Sequence, residues 1–265
     1  MKRKALFIML VLVFILAFSI ISNADNYFDT SQVDKGIINV SCNTDKKAKI
    51  IIKKGEEKYI YDIKNDGTKE SFPLQMGNGT YNISLLENTS ASYYKMISST
   101  TVDINLKDPN SVYLNSVQNI NWSQNKLTVA KASSLTSGTS DIAKKAEVLW
   151  DYIIKNNIYD YNKSSSLSKN YIPIPDLTLK QQSGICYDFS SLFAAMLRSE
   201  GTPAKLVTGY APKNAVGYHA WNEIYDTKNK QWMIIDTTYD LQVYAKTKKA
   251  SMKKDASDFK KVYEY

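Results

Sequence analysis

From Cys186 onward the apolar residues Phe189, Leu192, Phe193, Met196 and Leu197 recur at the three- and four-residue steps of a helix, and Gly201 followed by Pro203 supplies the stop signal. A helix that opens on Cys186 must bury this stripe, and three short apolar runs follow it: Lys205 to Tyr210, Tyr218 to Tyr225 and Gln231 to Asp236. The turn-rich Asp226-Thr227-Lys228-Asn229-Lys230 makes a hairpin of the last two. With the turn centred between Thr227 and Lys228, Tyr225 pairs with Lys230, Trp221 with Ile234 and His219 with Asp236. Cross-strand partners share a face with Cβ atoms roughly 5 Å apart, close enough for an imidazole–carboxylate hydrogen bond.

His219 is the only histidine, so imidazole chemistry has one candidate. A helix N-terminus beside an imidazolium lowers a thiol pKa below its free value of about 8.5, and Cys186 is placed to benefit from both. The Asp236 carboxylate would fix one tautomer of His219 and turn its other nitrogen to the sulfur. Cys186 is then the nucleophile, His219 its base and later the acid, and Asp236 the orienter. Trp221, Trp232 and Tyr218 read as core or cleft-wall aromatics.

Gly184-Ile185-Cys186-Tyr187-Asp188-Phe189, Arg198-Ser199-Glu200-Gly201-Thr202-Pro203-Ala204, His219-Ala220-Trp221-Asn222-Glu223 and Trp232-Met233-Ile234-Ile235-Asp236-Thr237-Thr238 resemble, in order and approximate spacing, the successive blocks of the transglutaminase-like superfamily of cysteine enzymes. The resemblance covers about residues 140 to 242. It implies a papain-like core whose Cys-His-Asp triad falls on Cys186, His219 and Asp236. Members include protein crosslinkers, peptidases and deglycosylating enzymes, so the resemblance implies a mechanism more firmly than a substrate. Thr202 stands where many relatives carry isoleucine, a change at a packing position.

At the other end, Met1-Lys2-Arg3-Lys4 precedes a mostly apolar stretch from Ala5 to Ser22, and Ser22-Asn23-Ala24 offers small residues for signal cleavage after Ala24. The expected location is therefore secreted or on the extracellular face of the cell envelope, with an uncleaved membrane anchor as the alternative. A disulfide between Cys42 and Cys186 would consume the nucleophile. Cys42 instead alternates with Ile38 and Val40 and reads as a buried strand position.

The expected fold class is α+β: a signal or anchor over residues 1–24, an antiparallel β-sandwich over 25–115 and a papain-like transglutaminase core over 116–265. The sandwich rests on short β-like runs, Ala48 to Lys53, Lys58 to Ile63, Tyr81 to Leu86 and Tyr93 to Leu106, punctuated by Asn65-Asp66-Gly67 and Gly77-Asn78-Gly79. Ala132 to Ser140 reads as a polar connection, after which a helix capped by Ser140 carries the stripe Ile142, Ala146, Leu149, Ile153 and Ile154. Tyr161 to Leu179 reads as a loop, either bordering the substrate cleft or a simple surface connection.

The net charge is +8, but Lys2, Arg3 and Lys4 supply part of it, and the segment from Leu241 carries seven lysines against three acids. The remainder is nearly neutral, which argues against nucleic acid, and the lysines Lys246, Lys248, Lys249, Lys253 and Lys254 read as a solvated surface. No glycine-rich phosphate loop or cysteine–histidine metal pattern occurs, so no cofactor and no metal are expected. The expected function is an exported cysteine enzyme that forms a thioester at Cys186 from a protein or peptide carboxamide or amide, resolved by an amine or by water. The partner is a protein or peptide substrate, possible cell-wall association included; a membrane enters only through an uncleaved N-terminus. The alternatives are a non-catalytic surface binding or adhesion module that uses the β-domain, and a membrane-anchored assembly factor.

Overall fold

A computed structural model describes residues 27–168, 170–211 and 217–265. The expected signal segment lies outside these residues. Among the described residues no helix is long and apolar enough to cross a membrane.

The first part of the chain forms β1 (Phe28–Asp29), β2 (Ile37–Val40), β3 (Ala48–Lys54), β4 (Glu57–Ile63), β5 (Glu70–Pro73), β6 (Gly79–Ser90) and β7 (Tyr93–Ile104). They make two antiparallel sheets, in the orders β1-β2-β5 and β4-β3-β6-β7. Alternation does the work: Ala48, Ile50 and Ile52 of β3, Tyr81, Ile83 and Leu85 of β6, and Ile38 and Val40 of β2 meet in one core with Phe72 and Cys42. Cys42 is thus buried, as its alternation implies.

Next come α1 (Lys126–Thr136), α2 (Ile142–Asn156), β8 (Ile158–Tyr159), α3 (Tyr161–Ser166), α4 (Pro175–Gln181), β9 (Ser183–Gly184) and α5 (Cys186–Ser199). The chain continues with β10 (Ala204–Tyr210), β11 (Tyr218–Asp226), β12 (Gln231–Ile235), α6 (Thr237–Thr247) and β13 (Lys260–Glu264). A four-stranded antiparallel sheet, ordered β12-β11-β10-β13, packs against α5, whose core face of Phe189, Leu192, Phe193, Met196 and Leu197 is fully buried.

Four expectations need correction. Residues 132–136, expected in a polar connection, belong to α1, because Thr128, Ala132 and Thr136 recur every four residues and form a buried small-residue stripe. The cap of α2 is Asp141 rather than Ser140, its side chain accepting the Lys144 amide at 2.8 Å. The stretch from Tyr161 to Leu179 is largely the short helices α3 and α4, started by the Asp160 cap and by Pro175 at the first helical turn. The lysine-rich end is not all solvated surface: Lys260–Glu264 adds a strand to β10, and Lys254 pairs with buried Asp240. Gly209 allows that strand to pass, since a Cβ there would meet the Lys260 carbonyl oxygen at 2.2 Å.

The hairpin register also differs from expectation. Tyr225 pairs with Trp232, Glu223 with Ile234 and Asn222 with Ile235, two residues from the expected pairing. Asp226 causes the shift: its Oδ1 accepts the Lys228 and Asn229 amides, so an Asx turn carries the loop and lets the strands run on to Asp226 and Gln231. His219 and Asp236 are therefore not direct cross-strand partners. An even slip preserves the alternation, however, so the two side chains still project to the same side.

Candidate active site

Cys186 is the first residue of α5, a free and partly exposed thiol. At this position its backbone amide has no acceptor inside the helix. Gly184, just before it, has to be glycine: an added Cβ would lie 2.8 Å from Asp188 Cβ. Asp188, wholly buried, reaches back from the first turn to accept the Ile185 amide at 2.9 Å, which closes the N-terminus of α5. Its carboxylate also accepts from Lys163 Nζ at 2.6 Å and from the Tyr171 hydroxyl at 2.5 Å, so α3 and the following strap are tied to the helix that bears the cysteine.

His219, at the start of β11, is 7% exposed, and its Nε2 donates to Asp236 Oδ2 at 2.8 Å. The Cys186 sulfur acts on the same imidazole and favours its charged form; with Nε2 given to Asp236, Nδ1 is the nitrogen left free. Burial works against charging the ring, but the Asp236 hydrogen bond and charge, together with the sulfur, outweigh it and raise the His219 pKa to about 10. Asp236 is fully buried and has two jobs: its other oxygen, Oδ1, accepts the Tyr239 amide at 2.9 Å and so caps α6. One oxygen holds the imidazole and the other starts a helix, which fixes the carboxylate without a cross-strand partner.

Trp221, 1% exposed, stacks on His219 with ring centroids 6.5 Å apart, and Phe259 packs behind it at 5.0 Å. Trp221 is a wall of the site, while Trp232 lies in the core between the two halves against Tyr113 and Lys205. Asn222 joins α5 to the sheet through its Nδ2, which donates to the Ser190 and Lys205 carbonyls at 2.9 and 3.0 Å. Sequence reasoning brought Cys186, His219 and Asp236 forward and the structure brings all three together; it missed Asp188, Lys163, Tyr171 and Asn222. Only Asp188, an acid three residues into a helix, carried a readable capping signal. Among the described residues no group of three or more histidine, cysteine, aspartate or glutamate side chains could hold a metal ion.

Residues 129–237 match the transglutaminase-like superfamily. The match spans less than half of the chain and marks a similarity to that superfamily over this segment. That similarity supports a cysteine enzyme in general terms. No curated protein matches the chain. Among solved structures, a candidate cysteine protease from Cytophaga hutchinsonii is similar at 20% identity and a TM-score of 0.43, over 76% of this chain and 74% of that one. The periplasmic domain of TgpA from Pseudomonas aeruginosa is similar at 16% identity and a TM-score of 0.41, over 64% of this chain and 72% of that one.

Proposed function

We propose that this protein is an exported cysteine enzyme that takes an acyl group from a peptide or protein amide onto Cys186. One observation carries the reading: at the head of α5 the Cys186 sulfur acts on an imidazole whose other side is hydrogen-bonded to the Asp236 carboxylate at 2.8 Å. The thiol gives its proton to His219, and the sulfur lone pair forms a C–S bond to the carbonyl carbon as the C=O π pair moves onto oxygen. The oxyanion that results lies beside the unpaired amide at the helix start, where the helix dipole favours negative charge. When the adduct collapses the C–N bond breaks, and His219 gives the leaving amine its proton. A thioester remains. Water converts it to a carboxylic acid and restores the thiol, whereas a lysine amine converts it to an isopeptide.

Partial exposure of Cys186 supports water as the acceptor, because transfer needs solvent excluded while an amine waits. Export is supported by the basic start and apolar stretch of residues 1–24, and a mature chain beginning at Asp25 in mass spectra of the culture medium is the expected outcome. The chemistry is tested by incubating the full chain with a mixed peptide pool and a fluorescent primary amine. An acyl adduct on Cys186, absent in Cys186→Ala, is expected, with cleaved peptides as the main product. Peptides carrying the fluorophore would assign transfer instead, and no adduct on any peptide would remove the enzymatic reading.

A further inference from the structure

Asp188 is a wholly buried acid that the acyl chemistry does not use. Its Oδ2 accepts the amide of Ile185, the residue bonded to Cys186, at 2.9 Å, so the carboxylate folds back over the open end of α5. Cα atoms two positions apart in a helix lie about 5 Å from one another, which brings Asp188 and Cys186 within electrostatic reach. Gly184 permits the close approach, since a Cβ there would lie 3.0 Å from the same Oδ2. A full negative charge is thereby set where the reaction develops others, on the sulfur and then on the oxyanion. The partial charge of roughly +0.5 at a helix start does not offset it. Asp160 brings a second carboxylate to the neighbourhood, its own amide donating to the Gly184 carbonyl at 2.8 Å.

Lys163 supplies the opposing charge. Its Nζ lies 2.6 Å from Asp188 Oδ2, with the lysine side chain only 24% exposed and the aspartate not at all. The cation is held in place: it donates to the Tyr171 hydroxyl at 2.7 Å, and its backbone amide donates to Asp160 Oδ1 at 2.9 Å in the first turn of α3. An ion pair so enclosed is screened far less than one on the surface. His219, backed by Asp236, faces the sulfur from β11. The other titratable groups that act on Cys186 or Asp188 are the phenols of Tyr159, Tyr171 and Tyr187, each pushed up by burial and therefore neutral near pH 7.

Resting on the cysteine-enzyme reading, we propose that Lys163 is a positioning residue for the nucleophile: by neutralising Asp188 it lets that carboxylate fix the start of α5 without repelling the thiolate and the oxyanion. Asp188 supplies the geometry, and Lys163 removes the electrostatic penalty of having an acid there. The short helix α3 then serves the reaction through its cation.

The test is the rate of iodoacetamide labelling at Cys186 between pH 4 and 9, in the full chain and in four variants whose fold is checked by circular dichroism. Lys163→Met leaves Asp188 uncompensated and should move the acid limb of the profile up by about one pH unit or more, as a nearby like charge does. Asp188→Asn keeps an acceptor for the Ile185 amide but leaves Lys163 as a bare cation, and should move the limb down. Lys163→Met combined with Asp188→Asn should return it to the wild-type position, and Lys163→Arg should hold it there. Lost packing alone would shift both single variants the same way and the double variant further; that result, or a limb unmoved in every variant, overturns the proposal. Should Lys163→Met not fold, Asp188→Asn decides: a downward shift supports the proposal, and no shift or an upward one overturns it. A wild-type profile at the position of a free thiol, about 8.5, with no acyl adduct on any peptide, overturns the cysteine-enzyme reading itself.

Discussion

At the scale of single residues, Asp236 bears the most consequence because it serves both the imidazole and α6. Asp236→Asn keeps a cap for the helix but withdraws the charge that holds the ring, so kcat should fall by roughly 10³- to 10⁴-fold while peptide KM changes little. The same substitution should lower the His219 pKa, seen by NMR titration of the only imidazole in the chain. Linkage gives the sign for stability: His219 is raised from 6.5 to about 10, so its contribution is complete below pH 6.5 and is lost as pH climbs through about 10. Urea midpoints of the wild type should therefore drop across that window, with the drop reduced in His219→Ala. Gly184→Ala forces a Cβ onto Asp188 and should cost about 1–3 kcal/mol in the same assay. Cys186, His219 and Asp236 were legible in the sequence because a lone histidine and a cysteine heading a helical stripe leave few choices. Of Asp188 only the capping position could be read; an acid in the first turn of a helix usually faces water, and nothing local reveals that Lys163 and Tyr171 converge on it.

At the scale of elements, α5 and its sheet followed from periodicity, while α1, α3 and α4 did not. In α1 the buried positions are Thr128, Ala132 and Thr136, small residues that a hydrophobicity pattern overlooks although they let α1 lie close against α5. The hairpin was recognised but its register was misjudged, since a two-residue turn and an Asx-stabilised four-residue turn differ only in what the Asp226 side chain does. The ties from Asp188 to Lys163 and Tyr171 make the strap before α4 part of the α5 N-terminus rather than an independent loop. Asp188→Ala should cost about 2 kcal/mol, the range for hydrogen bonds to a charged partner, and should expose the strap. Limited proteolysis between residues 167 and 174 is the measurement, with faster cutting in the variant expected.

At the scale of the whole molecule, β13 joins the two halves. Tyr113 of the connecting segment donates to the Glu264 carboxylate, Gln75 donates to the Glu264 carbonyl at 3.0 Å, and Tyr265 packs edge-on against Tyr59 and Tyr61 of the sandwich. No pattern in the lysine-rich end announced this strand, because its partner β10 and the sandwich wall are both distant in sequence. All four tryptophans, at 122, 150, 221 and 232, follow the sandwich in sequence, and only Trp232 also packs against it, so their fluorescence reports mainly the second half while far-UV circular dichroism reports both. The two signals should change together in urea for the wild type and separate in Tyr265→Ala, which removes aromatic contact worth about 1 kcal/mol per ring pair beyond the area it buries.

The central claim is that one imidazole, steered by Asp236, makes the Cys186 sulfur a nucleophile, and alkylation kinetics address it most directly. Iodoacetamide at neutral pH should label Cys186 far faster than a free cysteine, with the rate falling in His219→Ala and buried Cys42 left untouched. Labelling of Cys186 at the rate of a free thiol, equal in wild type and His219→Ala, would contradict it.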